Sequence, residues 1–260
     1  METSLAQKKN RLFNVLCGIF ITNAVLAEII GVKIFSGEST LGLNPANLNI
    51  LGFSMDFNLT AGVLIWPVVF VTTDLINEYF GKPGVKRISY FTVLLIAYVF
   101  VIIFITIQLP SPQWWKDVMG EDGSVVLNMD LAFNKVLGQG MRIIVGSITA
   151  FLIGQLVDVF IFQKLRKATG NKRLWLRATG STLVSQLVDS YVVLFIAFAG
   201  VYDTKYIVAI GITNYIYKFA VAILLTPVIY LIHSFIDNYL GKQNAKQLTE
   251  DAANNSQGFF

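Results

Sequence analysis

Cysteine, histidine and charged side chains are all scarce in this sequence. The single cysteine, Cys17, excludes an intramolecular disulfide and a cysteine-based metal site, and the single histidine, His233, excludes a site built from several histidines. Only 14% of the 260 residues are charged, whereas 55% are hydrophobic, and the mean hydropathy is +0.62. Apolar runs of about 20 residues recur along the chain, and each is long enough to cross a hydrocarbon core of about 30 Å. The composition therefore predicts a polytopic membrane protein.

Six apolar segments are predicted to be transmembrane helices of an all-α bundle. Lysine and arginine gather before the first segment, after the second, after the fourth and after the sixth, and short basic loops stay in the cytoplasm. Both termini are therefore predicted to be cytoplasmic. The first segment follows a basic start, as in a signal peptide, but its apolar run is long and more spans follow, which favours an uncleaved helix. The predicted helices cover about 12–33, 60–80, 88–108, 143–163, 178–201 and 206–232.

Outside these helices the sequence gives weaker indications. Residues 34–58 contain short alternating apolar stretches that fit either a small hairpin or a segment at the membrane surface, and 125–138 shows the spacing of a short amphipathic helix. Pro67 lies within the second predicted helix and predicts a kink or break there. Residues 1–237 are interpreted as one transmembrane domain, and the polar tail 238–260 is predicted to be disordered. The net charge of +4 follows from the basic loops and indicates no nucleic-acid partner.

The tetrapeptide Gln-Leu-Val-Asp occurs twice, in the fourth and the fifth predicted helix. Gln155 and Gln186 each lie nine residues from the basic loop that joins these helices, so both amides are expected roughly 13 Å from the same membrane face. Residues three apart share a helix face, so each copy places one amide and one carboxylate, Asp158 or Asp189, on a single stripe. Two such stripes at similar depth can face each other across a polar cleft.

Other polar groups are expected at similar depths. Asp74 lies about 12 Å from the basic face, and Glu78, one turn closer to it, either belongs to the same site or pairs with lysines of the next loop. Lys218 lies near the midplane of the sixth helix, with Asn214 one turn before it on the same face. A lysine at that depth needs an acidic partner or a water-filled path, and Asp189, the deepest acid, is the expected partner.

These groups predict a binding site in the inner half of the bundle, because ionisable side chains inside a membrane mark functional sites by default. With one lysine against four carboxylates, the site is expected to be net negative or partly protonated. Carboxylate and amide side chains suit the edge of a flat heterocycle such as guanine, and the alternative is that they only hold helices together. No catalytic residue, cofactor or metal ligand is predicted. The predicted substrate-binding residues are Asp74, Glu78, Gln155, Asp158, Gln186, Asp189, Asn214 and Lys218.

Four ordered motifs give the chain a family resemblance. They are Thr73-Asp74-Leu75 with Phe80-Gly81, Gly154-Gln155-Leu156-Val157-Asp158-Val159-Phe160 with Lys164-Leu165-Arg166, Gly180-Ser181-Thr182-Leu183 with Asp189 and Phe195-Ile196-Ala197-Phe198, and Tyr217-Lys218. In these motifs the chain resembles the queuosine precursor transporter family, which belongs to the vitamin-uptake-like transporters. The resemblance carries the family's functional positions onto Asp74, Gln155, Asp158, Asp189 and Lys218.

The resemblance implies a six-helix bundle in the bacterial inner membrane that is not an enzyme. Its implied substrates are 7-deazaguanines such as preQ0 (7-cyano-7-deazaguanine) and preQ1, its aminomethyl analogue, imported for queuosine modification of tRNA. The implied partners are this small-molecule substrate and the lipid bilayer, and the resemblance leaves open whether the protein forms a homodimer.

Three other functions compete with this interpretation. A substrate-binding subunit of an energy-coupling uptake system also has six helices, but Ala24 and Ala27 do not give the Ala-x-x-x-Ala spacing expected on its first helix. An intramembrane protease needs a histidine at depth or an aspartyl dyad, for which Asp158 and Asp189 are the candidates, whereas His233 lies at the boundary. A channel would need a filter sequence, and nothing in the chain resembles one.

Overall fold

Helices dominate the architecture, with short strand pairs near one end of the bundle. The computed structural model describes residues 4–138, 141–169 and 173–255, without the side chains of 141 and 142. In chain order the elements are α1 (Leu5–Ile30), β1 (Ile34–Ser36), α2 (Gly37–Thr40), β2 (Leu48–Ile50), β3 (Phe53–Met55), β4 (Asn58–Thr60), a 3₁₀ helix (Ala61–Leu64), α3 (Trp66–Ile107), α4 (Gln113–Lys116), β5 (Asp117–Met119), β6 (Val125–Asn128), α5 (Met129–Leu137), α6 (Met141–Thr169), α7 (Leu174–Phe198), α8 (Thr204–Leu240) and α9 (Lys242–Asn254).

Within the described residues, five helices are long and apolar enough to cross a membrane, namely α1, α3, α6, α7 and α8. A helix is the expected structure for such segments, because its interior N–H and C=O groups pair within the segment where no water is present. The prediction of a polytopic helical membrane protein is confirmed. Each predicted helix lies largely within one of these elements, and α6 and α8 extend further toward the basic loops than expected. Lys172, in the loop between α6 and α7, lies outside the described residues.

Two of the six predicted helices fall within α3, which has a kink at Gly81. This glycine has a φ of 67° and a ψ of −171°, and glycine enters the positive-φ region at little steric cost. A side chain at Gly84 would lie 3.3 Å from the Cγ2 atom of Ile76, whereas residues eight apart in a straight helix are about 12 Å apart. Pro83 then stands in the first turn of the second segment, where a missing N–H costs nothing. The chain therefore bends sharply between two helical segments.

Proline also marks the beginning of α3 rather than a kink within it. Residues 61–64 form the 3₁₀ helix, and α3 begins at Trp66 with Pro67 in its first turn. The prediction of a kink or break at Pro67 is wrong, because the helix starts six residues later than expected and the proline occupies a position whose N–H has no helical partner.

The strands form three antiparallel pairs, β1 with β4, β2 with β3, and β5 with β6. The β2–β3 pair confirms the hairpin alternative for 34–58, and α5 confirms the helix predicted over 125–138 except at 125–128, which form β6. Glu38 of α2 links β1 to the chain segments just before β2 and β4. Its buried carboxylate accepts the hydroxyl of Ser36 in β1 at 3.2 Å, the N–H of Phe57 at 2.7 Å and that of Ala46 at 3.4 Å. The Phe57 hydrogen bond lowers the pKa of Glu38 because it stabilises the ionised form. We call this side of the molecule the hairpin end.

The opposite side carries Lys82, Lys86 and Arg87 at the fold of α3, and we call it the basic end. The prediction of disorder for 238–260 is wrong for residues 242–254, which form α9 at this end. Ala245, Leu248 and Ala252 are buried where α9 contacts α3 and α8, at a spacing that fills one helix face. The sequence predicted disorder because the tail is mostly polar and its apolar stripe is narrow. Residues 256–260 lie outside the described residues.

Small residues allow close packing between the long helices. Helices α6 and α7 pack side by side, and α7 also packs against α8. A side chain at Gly154 would lie 3.3 Å from the Cβ atom of Asp189, and one at Gly211 would collide with the ring of Tyr191 at 2.5 Å. Glycine at these positions brings backbones together where dispersion contacts drive helix association. This packing places the polar stripes of α6 and α7 next to each other.

Candidate functional site

A partly open cavity lies between the first segment of α3, α7 and α8. Ligand pockets commonly have apolar walls and a few polar groups that fix orientation. Most of the lining here is apolar. Its polar side chains come from α3, α7 and α8, and they are Asp74, Thr179, Thr182, Gln186, Tyr217 and Lys218.

Two of these lining side chains have a polar atom without a partner in the described part of the chain. Asp74 accepts a long hydrogen bond of 3.5 Å from Thr182 on Oδ2, while its Oδ1 has no donor. Gln186 has no acceptor for its Nε2. Both residues are only 3% exposed. Because a buried polar atom left unpaired costs about 1–3 kcal/mol, an acceptor and a donor held this way in a cavity wall indicate a site prepared for a ligand.

Aromatic side chains form part of the apolar wall. Trp66 and Phe70 stand one turn apart on α3, and Tyr217 approaches from α8. Of the aromatic residues on the polar helices, Tyr191 and Tyr215 donate their hydroxyls to the backbone carbonyls of Val208 and Leu183, at 3.4 Å and 3.2 Å. The aromatic surface available to a flat ligand is therefore that of α3 and Tyr217.

Lys218 has the partner that the sequence predicted. Its Nζ donates to Oδ2 of Asp189 at 2.9 Å and to the hydroxyl of Ser190 at 2.9 Å. Lys218 lines the cavity, whereas Asp189 stands behind it against Gly154 of α6. Asn214, one turn before Lys218, is half-buried and does not belong to the lining. The pair joins α7 to α8 at the cavity wall.

Gln155 and Asp158 lie on α6, outside the cavity lining, and each is only 1% exposed. Gln155 accepts from the Thr73 hydroxyl at 3.2 Å, and Asp158 accepts from the Ser185 hydroxyl at 3.1 Å. Within the described residues, Nε2 of Gln155 and Oδ2 of Asp158 have no partner. A second polar cluster, closed from the cavity, therefore lies among α3, α6 and α7.

Glu78 is held by two arginines at the basic end. Arg177 binds it in a bidentate manner, with Nη2 at 2.6 Å from Oε1 and Nε at 3.0 Å from Oε2, and Arg166 Nη2 lies 3.5 Å from Oε1. Arg166 also donates to the backbone carbonyls of Glu78 at 3.2 Å and of Thr249 in α9 at 2.6 Å. The ring of His233 lies 3.9 Å from the carboxylate. We call Glu78, Arg166 and Arg177 the ionic lock.

The sequence interpretation missed both arginines of the lock. A count of basic residues places Arg166 and Arg177 among the charges of the cytoplasmic loop, but they are only 3% and 2% exposed. The sequence offered loop lysines, not these arginines, as alternative partners of Glu78. Four carboxylates therefore meet three basic groups rather than one. The sequence does contain a pattern that places Arg177 on the inner face of α7. Arg177, Ser181 and Ser185 are spaced four residues apart and continue the polar face of α7 toward the basic end.

Comparisons with known proteins agree on one family. A family model described as "Putative vitamin uptake transporter" matches residues 60–232. A Bacillus subtilis (strain 168) protein named probable queuosine precursor transporter is 29% identical over 231 residues, which cover 83% of this chain and 93% of the relative. A Haemophilus influenzae protein of the same name is 27% identical over 186 residues, covering 68% of this chain and 70% of the relative. The Escherichia coli (strain K12) queuosine precursor transporter is 29% identical over 182 residues, covering 68% and 71%.

No solved structure matches the chain with statistical significance. The region matched by the family model runs from the end of β4 into α8 and contains the cavity, the closed polar cluster and all three residues of the ionic lock. The chain therefore belongs to the vitamin uptake transporter family of multi-pass bacterial membrane proteins.

Proposed function

We propose that the protein transports queuosine precursors, with 7-deazaguanines such as preQ0 and preQ1 as its substrates. The names of the relatives support the substrate class. The observation that carries the proposal is the unpaired acceptor on Asp74 and the unpaired donor on Gln186 in one cavity wall. These two groups match a heterocycle that presents donors beside an acceptor.

The edge of a guanine-type ring has this pattern. Its ring N–H and exocyclic amino group are adjacent donors, which one carboxylate can accept together, and its carbonyl oxygen accepts from an amide. Asp74 and Gln186 supply the carboxylate and the amide, and Trp66, Phe70 and Tyr217 supply aromatic surface for the ring faces. The aminomethyl form, preQ1, carries a positive charge and suits a site in which carboxylates outnumber basic groups.

The site residues predicted from the sequence divide by position. We assign direct contact with the substrate to Asp74 and Gln186, with Lys218 in the same wall. Asp189 holds Lys218 in place, and Glu78 belongs to the ionic lock. Binding roles for Gln155, Asp158 and Asn214 stay predictions from the sequence, since none of the three lines the cavity.

A ligand-binding measurement tests the substrate class. The purified protein should be stabilised against heat by 7-cyano-7-deazaguanine and much less by adenine or hypoxanthine, because neither presents the complete pair of adjacent N–H donors beside the carbonyl. Equal stabilisation by adenine would refute recognition of the guanine-type edge. Uptake of the same compound by a heterologous host that expresses this chain alone distinguishes a transporter from a subunit that needs energy-coupling partners.

We also propose six membrane spans with both termini in the cytoplasm. The proposal takes the kink at Gly81 as a reversal that divides α3 into two spans, and Lys82, Lys86 and Arg87 beside it favour a cytoplasmic basic end. In a Cys17→Ala background, Ala168→Cys should be protected from an impermeant thiol reagent in intact cells, whereas Asp122→Cys at the hairpin end should react. The reverse labelling pattern would overturn the orientation.

A further inference from the structure

The closed polar cluster holds a carboxylate that the proposed substrate contacts leave unexplained. Asp158 is 1% exposed, and its Oδ1 accepts one hydrogen bond from Ser185. In the described part of the chain its Oδ2 has no donor, although an ionised carboxylate can only accept. Such an oxygen is costly to bury, and a proton would remove the charge and turn the oxygen into a hydroxyl donor.

None of the ion pairs among the described residues includes Asp158. The two arginines contact Glu78 in the ionic lock, and Lys218 contacts Asp189. Glu28, the acid that α1 brings to the bundle, accepts from Ser147 of α6. The groups on α3, α6, α7 and α8 around the cluster are Asp74, Glu78, Asp158 and Asp189 against Arg166, Arg177 and Lys218, with His233 3.9 Å from Glu78, so carboxylates outnumber the permanent cations.

Asp158 is connected to the cavity through Asp74. The two carboxylates interact electrostatically, and both reach the same face of α7, where Thr182 contacts Asp74 and Ser185 contacts Asp158. Asp74 must be ionised to accept two ligand N–H groups. Two ionised carboxylates repel each other strongly where water is excluded, so neutralising Asp158 favours ionised Asp74. By thermodynamic reciprocity, a substrate bound to ionised Asp74 favours the protonated form of Asp158.

We propose that Asp158 binds one proton with each substrate molecule, so that the two are cotransported. This inference rests on the proposed function. The proton comes from the outer solution, converts the Asp158 carboxylate into a neutral carboxyl group, and is released in the cytoplasm, while no bond of the substrate changes. The proton gradient then drives accumulation of a substrate that binds at Asp74.

Proton uptake on binding tests the linkage in the purified protein. With 7-cyano-7-deazaguanine in weakly buffered solution, the wild type should take up about one proton per bound molecule, and its affinity should weaken with rising pH by at most about tenfold per pH unit. Asp158→Asn, which imitates the neutral carboxyl, should bind with a Kd within about threefold of the tightest wild-type value, without pH dependence or proton uptake. Glu28→Gln, which changes a buried carboxyl on α1, is the matched control and should behave as the wild type.

Transport in proteoliposomes tests the coupling. An inward proton gradient without sodium should drive accumulation by the wild type, whereas Asp158→Asn should exchange substrate across the membrane without accumulating it. The proposal would be overturned if Asp158→Asn accumulated substrate or if the wild type required a sodium gradient. It would also be overturned if Glu28→Gln, rather than Asp158→Asn, lost proton uptake. Wild-type binding without proton uptake refutes it even if Asp158→Asn does not fold. A wild type that binds no 7-deazaguanine overturns the proposed function, and with it this inference.

Discussion

Two carboxylates one turn apart on α3 have opposite surroundings. Glu78 receives a bidentate arginine and a second arginine, so both of its oxygens are paired. Asp74 receives one long hydrogen bond and keeps an oxygen unpaired in the cavity wall. Both are nearly fully buried, at 2% and 3% exposure, so burial alone does not separate a structural acid from a binding acid. What separates them is whether the protein itself supplies the hydrogen-bond partners.

The largest effect is expected from removing the acid of the ionic lock. Glu78→Gln leaves Arg166 and Arg177 buried without a countercharge, and breaking a buried pair in this way costs about 3–5 kcal/mol. We expect the free energy of unfolding, measured by SDS titration, to fall by that amount. Glu250→Gln, which breaks an exposed pair with Lys246, should cost less than about 1 kcal/mol. Equal stability of the two variants would show that the lock is not structural.

Asp74→Asn should weaken ligand binding without affecting folding. The new amide places a donor opposite a ligand donor and leaves both unpaired, at a cost of about 1–3 kcal/mol, so Kd should rise about ten- to a hundredfold. The melting temperature of the empty protein should hardly change, because side-chain size is kept. Isothermal titration measures the first effect and thermal melting the second, with Asp117→Asn at the hairpin end as control. Unchanged affinity for the deazaguanine would remove Asp74 from the site.

Lys218→Met tests a pair of intermediate burial. The side chains of Lys218 and Asp189 are 19% and 23% exposed. The free energy of unfolding should therefore fall by about 1–3 kcal/mol, between the values for surface and buried pairs. The double variant Lys218→Met/Asp189→Asn removes the orphaned charge and should recover at least half of that loss in the same SDS titration. Additive losses from the two single variants would mean that the pair does not interact in solution.

The smallest expected change in ligand affinity distinguishes the two glutamines of the repeated tetrapeptide. Gln186→Ala removes one neutral hydrogen bond to the ligand and should raise Kd about two- to tenfold. Gln155→Ala, on the far side of the cavity wall, should leave Kd unchanged, although it removes the bond with Thr73. A stronger binding defect in Gln155→Ala would place the ligand in the closed cluster instead of the cavity.

The parts of this molecule that follow from position along a helix could be predicted from sequence. The depth of Lys218 and Asp189 sufficed to predict their pairing, because a lysine near the midplane needs an acid at similar depth. The spacing of Gln155 and Asp158 placed them correctly on one buried face.

The remaining features depend on rotation about a helix axis and on neighbours that hydropathy does not specify. Counting loop charges assigns Arg166 and Arg177 to the cytoplasmic side but says nothing about whether they turn inward. The separation of Gln186, in the cavity wall, from Gln155, behind it, arises because α8 packs on α7 rather than on α6. Helix α9 was missed because its buried apolar residues, Ala245, Leu248 and Ala252, form only a narrow stripe in a polar sequence.

The ionic lock places a condition on the biogenesis of the protein. Glu78 and Arg177 are 99 residues apart, and the carbonyl of Thr249, which Arg166 binds, lies 83 residues beyond that arginine. A ribosome therefore delivers Glu78 to the membrane long before its partner exists, and α9 emerges last. The early helices must remain inserted, with a carboxylate not yet paired, until α6 and α7 bring Arg166 and Arg177. Ordering of the basic end is accordingly a late, post-insertion event, and a truncation within α9 would act on assembly as well as on the finished transporter.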